Sequence, residues 1–503
     1  MIQQHYFDAI VRRIVHSRNP LEREHIFLGT HAEYGYPVLV HKPLLKEHVH
    51  ILGGSGSGKS TRMVNLIESE LIRGDPGAVV VIDLKAEMTH MENVRRETQR
   101  QRRVFKQFTN VLGLSSYIFN PIQQLSSKTT SFVQMVETIM ESLRLNHGDG
   151  YGRRYFSIVG REWLLRTIKN WPNLNSFEEL YAKAAPEFFK NEAERDRCRE
   201  LISVIQQVAE VAAMNWKPRP GESDRPLKDA IFMPDVVEQG QVIYFSLPAI
   251  GETSTVREIA NLALYSLLTA QKNYQERGGK NQTYLIIDEF QQMASDGFKL
   301  VLRQARKFGL SLILANQSEA DLMTPQTSRL LDVVRTNTQV KIYLSANETN
   351  TVKMLEKASG VIAYAGADGI PQYRPRRSVN DINFYSGHSD YAICWITRDS
   401  GFTAYGGDWF GLRTDFHISA QEFEERDSAP WPAATESTIV AERTAGGALD
   451  FTQGSNEPVP VNGFADEIAP AFSLNVPADS KWAKRLMDVY DRRFPGRSNG
   501  NEV

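Results

Sequence analysis

The stretch Gly53-Gly54-Ser55-Gly56-Ser57-Gly58-Lys59-Ser60 constrains this chain more than any other. It fits the pattern G-x-x-x-x-G-K-[ST], whose glycines let the backbone curl so that successive N–H groups converge on phosphate oxygens. In that arrangement Lys59 reaches the β- and γ-phosphates, the Ser60 hydroxyl sits on Mg2+, and Thr61 completes the nucleotide-binding set that begins at Gly53. Val49, Ile51 and Leu52 before the loop read as a buried strand. Met63, Leu66, Ile67 and Leu71 after it recur at helical spacing. Strand, glycine-rich loop, helix is the setting this chemistry needs, because the helix N-terminus adds N–H groups and partial positive charge. A glycine–serine linker fits poorly between two such apolar elements. The expected ligands are ATP and Mg2+.

At 503 residues the chain is too long for one ordinary domain. A hydrophobic share of 41% with 23% charged residues describes a folded protein rather than a disordered one. The net charge of −2 gives no global basic field for nucleic acid, although a basic channel inside an acidic exterior would give the same sum. Cys198 and Cys394 are the only cysteines, which excludes a disulfide framework and a zinc ribbon and points to a reducing compartment. His48 and His50 alternate at a strand entrance and read as structural. No apolar run is long enough to span a membrane, and no signal peptide is evident. The expected location is cytoplasmic, with any place at the inner face of a membrane reached through a partner subunit.

Residues 1–47 read as an N-terminal segment. Ile10, Val11 and Ile14 share a helical face, and the runs 26–28 and 37–40 can pair as strands around Glu33 to Gly35. Residues 48–122 hold the first part of an α/β core. There the run 78–83 has the look of a parallel strand buried on both faces, and 117–119 reads as a shorter strand. Across 123–230 the texture turns helical. Phe132, Val136, Ile139 and Met140 form one stripe, Phe156, Val159 and Trp163 a second, and Leu201, Ile205 and Val208 a third, which predicts an all-α insertion. Residues 231–427 resume the core with strands at 242–245, 284–288, 311–315, 340–344 and 391–396, and a helix over 256–273. Residues 428–503 read as a flexible tail; its segment 482–494 is either a docking helix or an ordinary packed one. The fold class is therefore α/β, with a mostly parallel sheet and an all-α insertion domain.

Tyr284-Leu285-Ile286-Ile287-Asp288-Glu289 supplies the second half of an ATP site. An apolar strand, expected beside the phosphate-loop strand, brings Asp288 to the Mg2+ shell, and Glu289 then orients and polarises the attacking water. Another apolar strand ends at Asn316-Gln317. Its place is similar to that of the polar residue that contacts the γ-phosphate or that water in additional-strand P-loop ATPases, and a solvated strand end is the rival reading of Gln317. Between the two lies Arg303-Gln304-Ala305-Arg306-Lys307. Arg306, or Arg303 in second place, is a candidate for stabilising phosphoryl transfer in a neighbouring subunit; a solvated helix face is the rival reading.

These elements resemble the TraG/TraD-type coupling ATPases of conjugation and type IV secretion, within the FtsK–HerA group of ring translocases. The likeness rests on Gly53 to Ser60, Asp83-Leu84-Lys85-Ala86-Glu87, Phe119-Asn120-Pro121, Asp288-Glu289-Phe290, Arg306-Lys307-Phe308-Gly309-Leu310 and Asn316-Gln317-Ser318, and covers roughly residues 25–420. The second of these follows the signature D-x-K-G-E, with Ala86 in place of its glycine. The resemblance implies a RecA-like core, a homohexameric ring with ATP at subunit interfaces, and functional roles for Lys59, Asp288, Glu289, Gln317 and Arg306. It also implies DNA or a DNA–protein cargo as substrate, with a relaxase or other secretion-system proteins as partners. Such coupling proteins usually begin with membrane-spanning helices. None occurs here, so the anchor is either a separate subunit or dispensable in a soluble relative that works on DNA in repair or defence. An adaptor that recruits protein cargo, with ATP as its switch, is the alternative from another class. Arg95, Arg96, Arg100, Arg102, Arg103 and Lys106 form a basic cluster that suits DNA and a solvated helix face equally well.

Overall fold

The computed structural model describes residue 19 and residues 24–453, apart from 126–130, 146–152, 250–252, 296, 324–328, 347, 366–369, 398–407, 415–417, 419 and 444–448. The helical face expected at Ile10 to Ile14 and the segment 482–494 lie outside these residues.

The first seven strands are β1 (His25–His31), β2 (Pro37–His41), β3 (Val49–Leu52), β4 (Val79–Asp83), β5 (Phe105–Thr109), β6 (Ser115–Ser116) and β7 (Val242–Ser246). They continue with β8 (Thr283–Asp288), β9 (Leu310–Asn316), β10 (Val340–Tyr343), β11 (Val361–Ala365) and β12 (Pro371–Pro375). The last are β13 (Tyr391–Ile396), β14 (Trp409–Arg413), β15 (Ile439–Arg443) and β16 (Leu449–Gln453). Eleven of them make one sheet in the order β2-β1-β14-β13-β10-β3-β9-β8-β4-β7-β5. From β10 to β5 every pairing is parallel. β13, β14, β1 and β2 extend the sheet with antiparallel pairings.

The continuous apolar runs are explained by burial on both faces. Val79 and Val81 join one core layer with Met63, Val64, Ile67 and Leu71 of the helix that follows the phosphate loop. Val80 and Ile82 point the other way, into a layer shared with Phe245, Leu262 and Leu264. Each such side chain contributes about 1.5–3 kcal/mol on burial. Among the described residues, 121–241 form helices without a strand. Their stripes, including Val136, Ile139, Trp163, Ile205 and Val208, join the second layer.

Three sequence expectations are corrected. The short strand expected at 117–119 is not formed. Extended pairing falls at β5 and at the two-residue β6, while Ile118 and Phe119 are buried as irregular chain. The Asp288 strand, β8, is not beside the phosphate-loop strand: β9 lies between β8 and β3. The chain from 428 to 443, assigned to a flexible tail, lies against the core. Trp431 is buried with its indole N–H donating to the Ser115 carbonyl at 2.9 Å, and β15 pairs with β6. The apolar anchors Trp431, Ile439 and Val440 are too sparse to register as periodicity.

Candidate active site

The C-terminal ends of β3, β4, β8 and β9 bring the motifs together. Asp83 and Asp288 stand opposite each other in register, and Leu52 stands opposite Asn316. The phosphate loop leaves β3 at Gly53. Gly56 and Gly58 adopt φ of +77° and +84°, the left-handed region that an L side chain disfavours. Beyond it Lys59–Val64 winds as a π-helix into the helix Asn65–Gly74. The Gly54 N–H donates to Ser345 Oγ at 2.8 Å, tying the loop to the end of β10.

Lys59 is buried, and its ammonium donates to Asp288 Oδ1 and to Glu289 Oε1, the latter at 3.2 Å. Ser60 Oγ donates to Asp288 Oδ2 at 2.5 Å. A hydroxyl and a carboxylate side by side form the hard-oxygen donor set that suits Mg2+. Burial opposes charge on Asp288, yet Lys59, then His90 and Lys85, hold its carboxyl down at about 2. Glu289 is buried at φ +57°, a conformation that costs a non-glycine residue about 1–2 kcal/mol. Desolvation raises its pKa, but Lys59 and Lys85 together hold it below the usual carboxylate range. Gln317 Nε2 donates to Glu289 Oε2 at 3.0 Å, so the chain leaving the strand between β3 and β8 delivers its side chain to Glu289.

Behind the site lies a second buried group. His90, on the helix Met88–Arg100, sits 2.9 Å from both oxygens of Glu68, and Tyr244 donates to Asp83 Oδ2 at 2.6 Å. Burial disfavours a charge on His90, but Glu68 foremost, then Asp83 and Asp288, raise its pKa to about 10. Asp83, His90 and Asp288 offer ligand atoms within 4.8 Å of one another.

A sequence model described as Helicase HerA, central domain, matches residues 26–297, more than half of the chain. The chain belongs to the HerA central-domain family. None of the curated proteins matches it. Among solved structures, the bacterial conjugative coupling protein TrwB in complex with sulphate aligns with a TM-score of 0.55 at 12% identity, covering 82% of this chain and 92% of TrwB. TrwB in complex with ADP and Mg2+ gives 0.54 at 12% identity, over 83% and 93% of the two chains. VirB4 of Thermoanaerobacter pseudethanolicus gives 0.51 at 15% identity, over 79% and 97%. These likenesses carry the fold: this HerA-family chain has the P-loop ATPase architecture of the HerA/FtsK group.

Of the residues singled out by sequence, the loop from Gly53 to Thr61, Asp288, Glu289 and Gln317 meet at this one site. Arg303 and Arg306 do not. They precede β9 at its far end, about 20 Å from Gln317 by strand rise. Arg303 is exposed, and exposed Arg306 pairs with Glu47 at 2.8 Å. His48 and His50 are structural as read. His50 bonds to Asn316 at 2.6 Å, and burial lowers both imidazoles to about 4.

The basic cluster is mostly occupied within the chain. Arg95 and Arg96 grip Glu92, Arg100 pairs with Glu422, Arg103 donates to the Ile72, Asp75, Gly77 and Gly240 carbonyls, and Lys106 donates to the Ala230 carbonyl. Sequence reasoning passed over Lys85, Gln291, Ser345 and the Glu68–His90 pair. Lys85 had a signal, its place in the Asp83-Leu84-Lys85-Ala86-Glu87 segment. The others are single polar residues with no spacing rule. Among the described residues no helix is long and apolar enough to cross a membrane.

Proposed function

We propose that this chain is an ATP-hydrolysing ring motor that moves DNA or a DNA–protein cargo, in conjugative transfer or type IV secretion. The observation that carries the reading is the meeting of Lys59, Ser60, Asp288, Glu289 and Gln317 at the C-terminal ends of β3, β8 and β9. The loop from Gly53 to Thr61 cradles the triphosphate, and Lys59 exchanges its carboxylate partners for phosphate oxygens. Ser60 and Asp288 hold Mg2+, which offsets phosphate charge when bound. Glu289 orients the attacking water and accepts its proton, and Gln317, already bonded to Glu289, aligns it. Arg306 lies too far from its own site to take part there, so its candidate role is in a neighbouring subunit of a homohexamer. A relaxase or another secretion-system protein is the cargo partner, and any membrane contact runs through a partner subunit.

The family match favours a second reading within the same chemistry, a HerA-like DNA translocase in repair or defence. DNA-stimulated hydrolysis tests the motor in both settings. Affinity resting on 6–10 phosphate contacts falls roughly 10³–10⁵-fold between 50 and 200 mM salt, so stimulation should vanish over that range. Hydrolysis indifferent to DNA at every salt concentration counts against a DNA motor. Electron microscopy with DNA and a non-hydrolysable analogue separates a six-fold ring around DNA from a monomer. A ring that stays empty of DNA but captures protein points to the adaptor.

A further inference from the structure

The two oxygens of Glu289 carry four donors. Lys59 Nζ at 3.2 Å and Lys85 Nζ at 2.8 Å share Oε1; Gln317 Nε2 at 3.0 Å and Gln291 Nε2 share Oε2. A carboxylate offers about four lone-pair positions, so this one has none left for a water proton. Nucleotide phosphate draws Lys59 away, and the two glutamines are neutral donors. Lys85 is different. It is a cation, it makes the shorter of the two ammonium contacts, and it stands outside the phosphate-binding loop.

Lys85 also has somewhere else to go. Glu87 Oε1 lies 3.7 Å from the same ammonium, on the opposite side of Ala86, whose φ of +58° makes a tight turn. The backbone of this turn is fixed, because Asp83 accepts from the Lys85 N–H at 2.9 Å and from the Glu87 N–H at 2.8 Å. Exchange between Glu289 and Glu87 is therefore a swing of one side chain, in a segment that is only partly buried.

We propose that Lys85 is a positioning residue that restrains Glu289, and that its transfer to Glu87 frees Glu289 to activate water. The inference rests on the ATP-hydrolysis reading. Lys85→Met removes the restraint and raises basal kcat about tenfold, a fraction of the 10²–10⁴-fold that a general base contributes, with KM for ATP unchanged. Lys85→Arg keeps the pair and stays near the wild-type rate. Glu87→Gln removes the second acceptor and lowers kcat several-fold at constant KM. A Lys85→Met protein that is slower than wild type, while binding a fluorescent ATP analogue normally, overturns the restraint. Acylation of Lys85 by limiting acetic anhydride, followed by mass spectrometry, tests the pair without hydrolysis. Glu289→Gln should raise that rate several-fold, and equal rates in the two proteins overturn the pair. A wild-type chain that hydrolyses no ATP defeats the ATPase reading, while the acylation result still decides whether Lys85 holds Glu289.

Discussion

Replacing His90 with leucine tests how the carboxylates behind the phosphate loop are kept stable. His90 and Glu68 are both almost fully buried, and the imidazole faces Glu68, Asp83 and Asp288 with the Tyr244 ring edge-on. Removing one partner of such a pair costs about 3–5 kcal/mol, because the other charge is left buried. A pKa raised from 6.5 to about 10 corresponds to a similar size, about 5 kcal/mol at about 1.4 kcal/mol per unit. A pKa raised in the folded state stabilises fully below 6.5, and that stability is lost as the pH rises through 10. Urea unfolding followed by tryptophan fluorescence should therefore show the gap between wild type and His90→Leu widest near pH 6 and closing toward pH 10. Glu68→Gln in the His90→Leu background should recover most of the loss, since it removes the stranded charge. A loss below about 1 kcal/mol, or one that does not change with pH, would refute a charged His90.

Glu289→Gln should lower hydrolysis about 10²–10⁴-fold while ATP stays bound in filter-retention assays. Arg306→Ala should lower kcat about 10³-fold, with mixed Arg306→Ala and Lys59→Ala proteins recovering activity through complementary interfaces. Arg306 is exposed where it pairs with the mostly buried Glu47, so losing the pair should lower stability by no more than about 1 kcal/mol in thermal unfolding. Asp288 has its pKa lowered from 3.8 to about 2, so it contributes stability of about 2 kcal/mol above pH 4 that is lost as the pH falls toward 2. Asp288→Asn should flatten that acid limb in unfolding curves. Trp431→Ala should cost about 3–5 kcal/mol and open 428–443 to limited proteolysis.

The sequence alone determined the chemistry and the class of fold. Phosphate binding depends on a contiguous backbone loop, so its glycines, Lys59 and Ser60 must be neighbours in the chain. Asp288 and Glu289 were legible for the same reason, as the polar end of an apolar strand. Strands buried on both faces announce themselves as unbroken apolar runs, and the stripes of 123–230 announce a helical stretch. Tertiary structure decided what long-range pairing controls. It set β9 between β3 and β8, because strand order depends on how crossovers pack and not on local pattern. It turned the basic cluster after β4 into internal ion pairs and carbonyl contacts, since partners such as Glu422 and Gly240 are far away in sequence. It fixed 428–443 on the core through a few apolar anchors. It also placed Lys85 on Glu289 and His90 on Glu68, contacts made across strands and helices that no spacing within one segment can reveal.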